Sequence, residues 1–330
     1  MAGLERLVGS TFNKKTVLIT GANGFIGSHL TKRLVEKGAS VNIFVREKSD
    51  KASIKDLKGH VRTWHGDIRN FEVVNNCIQN SMPQVIFHLA GMRDVTRDIN
   101  LIDPMIDANL KGTMNIVRAA IESKIKLESF VNTGSSEEYG DGEVPFSEDQ
   151  REIPVSPYSA SKVAATYFCQ MLHKSMGFPS VTLRPFLTYG PGQTHDMFIP
   201  SLIKHCIDGK NFKMTKGDQT REFNYVDDVV EAFIVASVKK NARGQILNIG
   251  NGIEYSIKDV AEKIKDMMGS NIKLLVGALP KRPGETKHFF SNNQKSRNIL
   301  GVAKETGLDE GLQKTIDWYK DLFEKAGSQK

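Results

Sequence analysis

The chain has only three cysteines in 330 residues, and none is placed as a cross-link or a metal ligand requires. Cys77, Cys169 and Cys206 are odd in number and far apart, so they fit neither a disulfide framework nor a metal-binding motif. We therefore predict reduced thiols in the core, no metal site and a cytoplasmic location.

Long apolar runs are also absent. No stretch approaches the ~18 consecutive apolar residues of a membrane-spanning helix, and the first residues, Met1-Ala-Gly-Leu-Glu-Arg6, lack the apolar core of a signal peptide. Hydrophobic residues make up 39% of the chain and charged residues 25%, which is typical of a water-soluble globular protein. We predict no membrane association.

Acidic residues are in deficit: 38 Asp and Glu against 45 Lys and Arg give a net charge of +7. A basic balance can mark nucleic-acid binding, but the basic residues are dispersed, often beside Asp or Glu, and form no known nucleic-acid motif. Attraction of a small anionic substrate accounts for the charge equally well. We therefore predict no nucleic-acid partner.

Short apolar runs alternate with segments of helical spacing after a short extension, residues 1–14. Such alternation predicts an α/β fold with a doubly wound parallel sheet. Near Pro191 the pattern changes to loops and shorter elements, which indicates a later part that packs on this sheet. The predicted strands are Thr16–Thr20, Val41–Val45, Val61–His65, Val85–Leu89, Phe130–Thr133 and Ser180–Arg184.

A glycine-rich turn follows the first predicted strand and precedes a segment of helical spacing. Such a turn presents backbone N–H groups at a helix N-terminus, where a pyrophosphate is stabilised. It therefore predicts a dinucleotide site, although a turn that merely connects strand and helix has the same outline. The predicted cofactor contacts here are Gly21, Asn23, Gly24, Phe25, Ile26 and Gly27.

The second predicted strand ends in Arg46, with Lys48 and Ser49 close behind. An acidic residue at this point would bind the adenosine ribose hydroxyls and favour NAD(H), whereas a guanidinium suits a 2′-phosphate. The sequence therefore favours NADP(H), with NAD(H) as the alternative. A solvated arginine at a strand end is the competing interpretation.

Two further strand ends carry candidate cofactor contacts. After the third strand, the Asp67 carboxylate is a candidate acceptor for the adenine amino group, or alternatively the N-cap of a helix over residues 71–78. After the fourth strand, small residues would let a cofactor lie close to the backbone, while His88 fits a buried structural role. The predicted contacts are Asp67, Ile68, Leu89, Ala90 and Gly91.

Tyr158 and Lys162 are spaced to share one helix face, and Ser135 precedes them in the chain. A free tyrosine has a pKa of about 10, and we expect the neighbouring ammonium to lower the pKa of Tyr158. Lys162 can also bind the nicotinamide ribose, and Ser135 can orient a substrate oxygen. The set predicts general acid–base chemistry at a carbonyl that faces a hydride donor.

Taken together, these motifs resemble the extended short-chain dehydrogenase/reductase family, specifically its members that act on nucleotide-diphosphate sugars. The resemblance covers nearly the whole chain. It rests on Gly21–Gly27, Gly66–Ile68, Asn109 with Gly112-Thr113, Ser135–Gly140, Tyr158–Lys162, Arg184–Gly192, Arg221–Asp228 and Arg282–Glu285.

The resemblance implies a Rossmann-type domain over residues 1–187, to which the chain returns around 222–250, and a smaller α/β substrate-binding lobe over 188–330. It adds Asn109 to the cofactor contacts. It implies that Arg221 and Arg282 bind the diphosphate of a nucleotide sugar, as paired guanidinium groups can. Surface salt bridging is the alternative for both arginines. Arg93 and Ser136 are further candidate substrate contacts.

One position departs from the family pattern. Relatives often carry Arg-x-Phe-Asn-x-x-Gly after the sixth strand, with the Asn touching the substrate. This chain has Leu187 in place of that Asn. A leucine side chain donates no hydrogen bond, so that substrate contact is lost or replaced.

The framework serves three reactions: reduction of a 4-keto sugar, 4,6-dehydration and 4-epimerisation. Glu137 occupies the position of the extra carboxylate of dehydratases, but the string Thr133–Gly140 also resembles reductases of the GDP-4-keto-6-deoxymannose type. We predict an NADPH-dependent 4-keto-6-deoxysugar reductase. A dehydratase is the second alternative and an epimerase the third. A solvated acidic loop is the alternative for Glu137 and Glu138. The complete set of Ser135, Tyr158 and Lys162 argues against a non-catalytic scaffold.

The resemblance also implies a homodimer, formed through a four-helix bundle. The candidate helices lie near residues 106–123 and 158–175. An apolar stripe, Ile106, Leu110, Met114 and Val117, recurs at helical spacing. A stripe that faces the protein's own sheet would have the same pattern.

Overall fold

The computed structural model describes residues 11–281, 284–301 and 305–327. Its longer strands alternate with helices through the first 185 residues, and shorter elements follow. The strands are β1 (Thr16–Thr20), β2 (Ser40–Val45), β3 (Val61–His65), β4 (Val85–His88), β5 (Ser129–Thr133), β6 (Ser180–Pro185), β7 (Thr188–Tyr189), β8 (Phe212–Met214), β9 (Thr220–Glu222), β10 (Asn224–Tyr225), β11 (Ile246–Ile249), β12 (Glu254–Ser256) and β13 (Leu274–Val276).

The helices cover both faces of the main sheet and build much of the later half. The helix α3 runs over residues 102–122 and contains a π-helical stretch at Ile106–Lys111. The others are α1 (Phe25–Glu36), α2 (Phe71–Ser81), α4 (Pro157–Met176), α5 (Phe198–Ile207), α6 (Val226–Val238), α7 (Ile257–Met267), α8 (Gln294–Leu300) and α9 (Leu308–Gly327).

Seven parallel strands form the main sheet in the order β11-β6-β5-β4-β1-β2-β3. This order confirms the predicted doubly wound parallel sheet, and all six predicted strands are present with ends that differ by one residue at most. The chain reverses direction across the sheet between β1 and β4. In such sheets ligands bind at the carboxyl ends of the strands beside this reversal.

The central strands are buried on both faces because helices cover each side. Along β1, Val17 and Ile19 belong to one hydrophobic cluster while Leu18 belongs to the other. Successive side chains of a strand point to opposite faces, so a continuous apolar run is what a doubly covered strand requires. Phe12, just before β1, is also fully buried and anchors the described part of the N-terminal extension.

The later half returns to the main sheet through β11, which pairs with β6. The return at 246–249 falls within the predicted range of 222–250. Three two-stranded sheets, β7–β10, β9–β12 and β8–β13, make up the remainder of this half together with its helices. The division into a domain at 1–187 and a lobe at 188–330 stays a prediction.

The apolar stripe on α3 divides between two environments. Val117 is buried in a core cluster, and Met114 packs against the same cluster. Ile106 and Leu110 are only half-buried. The C-terminal part of the stripe therefore faces the protein's own core. In the described ranges, no helix combines the length and apolar composition needed to span a bilayer.

Candidate functional site

The glycine turn after β1 is shaped by two close backbone approaches. Gly21 has a φ of +70°, and a Cβ atom there would lie 2.7 Å from the Ala90 nitrogen. A Cβ atom at Gly27 would lie 2.1 Å from the Gly21 carbonyl oxygen. Both positions therefore require glycine, as predicted from the sequence.

Gly24 differs, because it is exposed and its closest neighbour to an added Cβ is the Gly21 oxygen at 3.2 Å. It is the N-cap of α1 and offers no side chain to the helix N-terminus, whose first turn holds no acidic residue. Free N–H groups and the positive end of the helix dipole stabilise an anion. The turn thus fits the pyrophosphate of a dinucleotide.

Neighbouring loops hold this turn in place. The Asn23 amide donates to the Asp50 carbonyl oxygen at 2.8 Å, and the Ser53 hydroxyl donates to the Asn23 carbonyl oxygen at 2.9 Å. Phe25 and Ile26 pack against the core. The Asn23 side chain therefore connects the turn to the loop after β2.

At the carboxyl ends of the outer strands, Arg46 is exposed just beyond β2. Asp67 accepts from Arg69 through Nε at 3.0 Å and Nη2 at 2.7 Å. The hydrogen bond from Arg69 lowers the pKa of Asp67, and the charge of Arg46 acts in the same direction. Since Asn70 is the N-cap of α2, the alternative prediction of a capping role for Asp67 is wrong.

Ile68, directly after Asp67, packs beside α3. A Cβ atom at Gly112 would lie 2.6 Å from Ile68 Cδ1, so the Ile68 side chain fills the space beside α3. The Asn115 amide donates to the Ile68 carbonyl oxygen at 2.9 Å. Ile68 is therefore fixed between the loop after β3 and α3.

At the end of β4, His88 is buried between the hydroxyl groups of Thr20, at 2.8 Å, and Thr113, at 2.9 Å. Burial and the nearby charge of Lys162 lower the pKa of His88 to about 3. The imidazole is therefore neutral near neutral pH. Its surroundings match the predicted structural role.

The residues after β4 form a floor of small side chains. Leu89 and Ala90 are half-buried, and the Ala90 N–H donates to the Thr20 hydroxyl at 3.1 Å. Gly91 is exposed, but a Cβ atom there would lie 2.7 Å from Asn109 Oδ1 and 3.6 Å from Lys162 Nζ. The absence of a side chain at Gly91 leaves room between the loop and Lys162.

Asn109 lies in the π-helical stretch of α3 and holds this loop. Its amide donates to the Met92 carbonyl oxygen at 3.0 Å and to the Ser161 hydroxyl at 2.9 Å, and its oxygen accepts from the Met92 N–H at 2.7 Å. π-Helical insertions often occur at functional sites. Asn109 therefore positions the loop, and a direct contact with a cofactor stays a prediction.

Tyr158 and Lys162 lie on the first turns of α4. Ser156 caps this helix and Pro157 follows it, which fixes the start of the helix and hence the position of Tyr158. Ser135, Tyr158 and Lys162 are all less than one-tenth exposed. Lys162 Nζ lies 6.0 Å from the Tyr158 ring centre and donates to the Thr133 carbonyl oxygen at 2.8 Å.

Burial controls the protonation of this pair. It raises the pKa of Tyr158, while a hydrogen bond with the Ser135 side chain and the charge of Arg93 act in the opposite direction. The expected lowering of the Tyr158 pKa by Lys162 is therefore wrong for this geometry. Burial also lowers the pKa of Lys162 to about 8. The site thus holds a protonated phenol beside a lysine that titrates near neutral pH.

The adjacent carboxylates Glu137 and Glu138 have different environments. Glu137 is half-buried, and burial raises its pKa, while the charges of Arg221 and Arg93 act to lower it. Glu138 is fully buried and accepts from Arg184 at 2.7 Å. The alternative prediction of a solvated acidic loop is wrong for both residues. The charges of Arg221 and Arg93, two arginines predicted to bind substrate, thus act on Glu137.

Of the predicted substrate contacts, Ser136 is buried in the turn Ser136–Tyr139, directly after Ser135. Arg221 donates through Nη1 to the carbonyl oxygens of Thr220, at 2.6 Å, and Thr286, at 3.1 Å. Both Arg93 and Arg221 act electrostatically on Glu137, so they lie at the same cleft. Arg282 lies outside the described residues.

Arg93 is exposed at the start of the loop after β4. Its guanidinium nitrogens Nη1 and Nη2 each lie 3.6 Å from the sulfur of Met197, which precedes α5. Leu187 is half-buried against the core, and its carbonyl oxygen accepts from the Asn224 N–H at 2.9 Å. The departure at Leu187 thus leaves a hydrophobic side chain where relatives often have an amide.

The sequence interpretation missed the buried partner set of Glu138. Arg184 is 0% exposed and pairs with both Glu138 and Glu152. An arginine inside the apolar strand β6 was the available signal, because a buried guanidinium requires counter-charges. The spacing of the glutamates gave no indication of which one would supply them.

Comparison with known proteins gives a consistent assignment. Residues 17–250 match the model of the NAD dependent epimerase/dehydratase family. The chain is 32% identical over 328 residues to dTDP-D-glucose 4,6-dehydratase of Homo sapiens. The match covers 94% of this chain and 91% of that protein.

A longer relative is the trifunctional UDP-glucose 4,6-dehydratase/UDP-4-keto-6-deoxy-D-glucose 3,5-epimerase/UDP-4-keto-L-rhamnose-reductase of Arabidopsis thaliana. The identity is 30% over 323 residues, and the match covers 94% of this chain but only 48% of that protein. The chain thus spans about half the length of this relative.

Among solved structures, the UDP-glucuronic acid 4-epimerase of Bacillus cereus, in complex with UDP-glucuronic acid and NAD, has a TM-score of 0.84 at 30% identity. The match covers 93% of this chain and 99% of that chain. Because the family model covers most of this chain and the human relative aligns along nearly its whole length, the chain belongs to the NAD dependent epimerase/dehydratase family.

Proposed function

We propose that the protein reduces the C4 carbonyl of a nucleotide-diphosphate 4-keto-6-deoxysugar, with NADPH as the hydride source. The observation that carries the proposal is that the two carboxylates after Ser135, those of Glu137 and Glu138, lie in different environments. Glu138 is held by Arg184 in the interior, and Tyr158 is a buried, protonated phenol. A reduction needs one proton donor and one hydride donor, and it requires no further carboxylate.

The proposed proton transfer follows from the pKa of Tyr158. Burial keeps the phenol protonated, so it can donate its proton to the carbonyl oxygen as the hydride reaches the carbon. The Ser135 hydroxyl donates a hydrogen bond to that oxygen and holds it beside Tyr158. The bound dinucleotide would supply the hydride, and the Lys162 ammonium would bind the nicotinamide ribose.

The proposed substrate is anionic at one end and a sugar at the other. Arg221, together with Arg282, binds the diphosphate, and Arg93 and Ser136 contact the phosphate or sugar. The positive field that Arg93 and Arg221 exert on Glu137 supports this assignment.

The proposed preference for NADP(H) rests on Arg46. The side chain is exposed at the end of β2 and its charge acts on Asp67. Its guanidinium is therefore available to a 2′-phosphate on the ribose, while Asp67 accepts from the adenine amino group. NAD(H) remains the alternative, since the Bacillus cereus relative was crystallised with NAD.

A second candidate function is 4,6-dehydration, and Glu137 favours it. This carboxyl is half-buried, close to Ser135 in sequence, and burial raises its pKa. A carboxyl with a raised pKa can take the C5 proton and return it to the leaving hydroxyl. A 4-epimerase would use Tyr158 without this step and is the third candidate.

The decisive experiment is an anaerobic incubation with GDP-, dTDP-, UDP- and CDP-sugars, including their 4-keto-6-deoxy forms. Stoichiometric NADPH loss with a gain of two hydrogens supports the reductase. Loss of water without net cofactor change overturns it in favour of the dehydratase. Unchanged mass with altered chromatography identifies an epimerase.

Glu137→Gln serves as the matched variant in each assay. A reductase keeps most of its turnover in this variant, because Tyr158 supplies the proton. A dehydratase loses on the order of 10²–10⁴-fold, the usual contribution of a positioned acid–base group.

We also propose a homodimer formed through α3 and α4. The outer face of α4 carries Tyr167, Phe168 and Met171, which are 51%, 43% and 46% exposed. Ile102 of α3 is 41% exposed on the adjoining helix. Contiguous apolar side chains of this size on a surface usually mark a protein interface.

A further inference from the structure

A buried ion pair lies directly behind the catalytic serine. Arg184 donates to Glu138 Oε2 through Nε at 2.9 Å and Nη2 at 2.7 Å, and both side chains are 0% exposed. Nη2 also donates to Glu152 Oε1. The guanidinium lies 4.6 Å from the Tyr139 ring centre. One cation, two carboxylates and an aromatic ring are thus packed together in the interior.

The second oxygen of Glu138 reaches the catalytic loop. Oε1 accepts from the Ser135 N–H at 2.8 Å, and Ser135 caps the turn Ser136–Tyr139 in return. A Cβ atom at Gly134 would lie 2.5 Å from this oxygen, so the carboxylate occupies the space beside the loop. The Thr166 hydroxyl donates to Oε2 at 3.0 Å. Glu138 therefore joins β6, α4 and the Ser135 backbone.

Stability alone is a weak reason for such a pair. Removing two charges from water costs several kcal/mol per ion, and a well-packed apolar pair of similar volume is often at least as stable. What the pair supplies is a rigid acceptor at a defined point. The Ser135 N–H must point at this acceptor. Because the Ser135 hydroxyl belongs to the same residue, a fixed N–H also restricts where the hydroxyl can lie.

We propose that Glu138, clamped by Arg184, is a positioning residue that fixes Ser135 against Tyr158. This inference rests on the proposed function, because it assumes that Ser135 and Tyr158 act on the substrate oxygen. Glu138 does not touch the reacting atoms. It holds the loop so that the Ser135 hydroxyl and the Tyr158 phenol converge on one point.

The charge of Glu138 has a second consequence at the same site. It acts to raise the pKa of Tyr158, as does Glu137, while Ser135 and Arg93 act to lower it. It also acts to raise the pKa of Lys162, as does Cys169. Burial has the largest effect on this pKa and lowers it. Removing this charge should therefore move both titrations to lower pH, which loss of packing alone would not do.

The test compares Glu138→Gln with Glu262→Gln, which makes the same change at a half-exposed surface ion pair with Lys258. In Glu138→Gln, the amide NH₂ group must point at either the Ser135 N–H or Arg184, and both of these are donors, so the shared acceptor is broken. For Glu138→Gln we expect kcat to fall about 10²-fold, the effect of a small misplacement, with KM nearly unchanged. Glu262→Gln should retain turnover close to wild type.

The pH profile gives the independent readout. A reductase loses activity at high pH as its proton donor ionises, and Glu138→Gln should shift this limb to lower pH. NADPH affinity, measured by fluorescence titration at a pH where Lys162 is protonated in both proteins, should stay unchanged. A wild-type kcat and an unshifted limb in folded Glu138→Gln would overturn the inference.

Two reference variants separate this inference from the proposed function. If Ser135→Ala and Tyr158→Phe leave turnover intact, the proposed function fails. If they abolish turnover and Glu138→Gln does not, only the positioning role fails. Should Glu138→Gln not fold, Glu138→Met with Arg184→Met and Glu152→Gln removes the three buried charges together. That triple variant should fold with the same loss of kcat, and wild-type turnover in it would equally contradict the inference.

Discussion

Lys162 Nζ lies 6.0 Å from the centre of the Tyr158 ring and donates a 2.8 Å hydrogen bond to the Thr133 carbonyl oxygen at the end of β5. The lysine is therefore attached to the sheet, and the tyrosine to the first turn of α4. Burial lowers the pKa of Lys162 to about 8 and raises that of Tyr158. Burial thus keeps the phenol protonated, and we propose that the lysine binds the cofactor ribose.

Substitution of the pair should separate chemistry from binding. Tyr158→Phe removes the proton donor, so kcat should fall by about 10²–10⁴-fold while NADPH affinity is retained. Lys162→Met should lower both kcat and affinity. Steady-state kinetics and a fluorescence titration measure the two effects.

Lys174→Met is the control, because Lys174 is exposed in the last turn of the same helix. It should leave both quantities unchanged. Turnover in Tyr158→Phe equal to wild type would contradict the assignment of the proton donor.

The three glycines of the turn should respond differently to alanine. Gly27→Ala places a Cβ atom 2.1 Å from the Gly21 oxygen, and we expect a loss of about 1–3 kcal/mol in the free energy of unfolding. Gly24→Ala meets only a 3.2 Å contact and should fold, but its methyl group should weaken dinucleotide binding. Thermal unfolding and a binding titration distinguish the two outcomes.

Gly307→Ala is the matched control, since an added Cβ atom there has no neighbour within 4 Å. It should change neither stability nor binding. Equal dinucleotide affinity in Gly24→Ala and wild type would argue against a pyrophosphate at this turn.

The sheet was predictable because its central strands are short apolar runs that alternate with segments of helical spacing. Val17, Leu18 and Ile19 form such a run, and the two core clusters share its side chains between them. The two tight glycines were predictable as well, because strand, turn and helix are consecutive in the chain. Local patterns suffice where the geometry is local.

The environments of Glu137 and Glu138 were not predictable. Two adjacent carboxylates look alike in the sequence. Their environments differ because Glu138 pairs with Arg184, which lies in β6, 46 residues further along the chain. The pKa of Tyr158 was also beyond the sequence, because burial outweighs the effect expected from the i, i+4 lysine. Long-range packing decides desolvation, and desolvation decides these protonation states.

Reversing the charge at the end of β2 should change cofactor preference. Arg46→Asp removes the proposed partner of a 2′-phosphate and adds repulsion, so NADPH affinity should fall relative to NADH by roughly 10-fold or more. Parallel fluorescence titrations with the two cofactors measure the ratio.

Lys55→Asp makes the same charge change at another exposed residue beyond β2 and should leave the ratio close to wild type. An unchanged ratio in Arg46→Asp would remove the basis for proposing NADP(H).

The apolar face of α4 should govern assembly. Phe168 is 43% exposed, and Phe168→Glu would place a charge in the proposed helix bundle, where desolvation opposes association. We expect the wild type to elute as a dimer and the variant as a monomer in size-exclusion chromatography with light scattering. Ile207→Glu, at an apolar residue of α5 that is 37% exposed, should remain dimeric. A monomeric wild type across a concentration series would disprove the assembly.

Glu222 should make stability depend on pH in an unusual direction. Burial raises its pKa from 4.5 to about 7, although Oε2 accepts from the Gly252 N–H at 2.7 Å and the Ser291 hydroxyl at 3.0 Å. The folded state holds a proton that the unfolded state releases near pH 4.5. This contribution to the free energy of unfolding is therefore full below that pH and is lost as the pH rises through about 7.

Glu222→Gln carries no such proton, so its stability relative to wild type should improve as the pH rises. Between pH 5 and pH 8 the gain should be roughly 2–3 kcal/mol, at ~1.4 kcal/mol per pKa unit. Urea unfolding of both proteins at the two pH values measures it. Glu262→Gln, at a half-exposed surface ion pair with Lys258, should show a nearly constant difference. A constant difference for Glu222→Gln as well would mean that the folded protein holds this carboxyl ionised throughout the range.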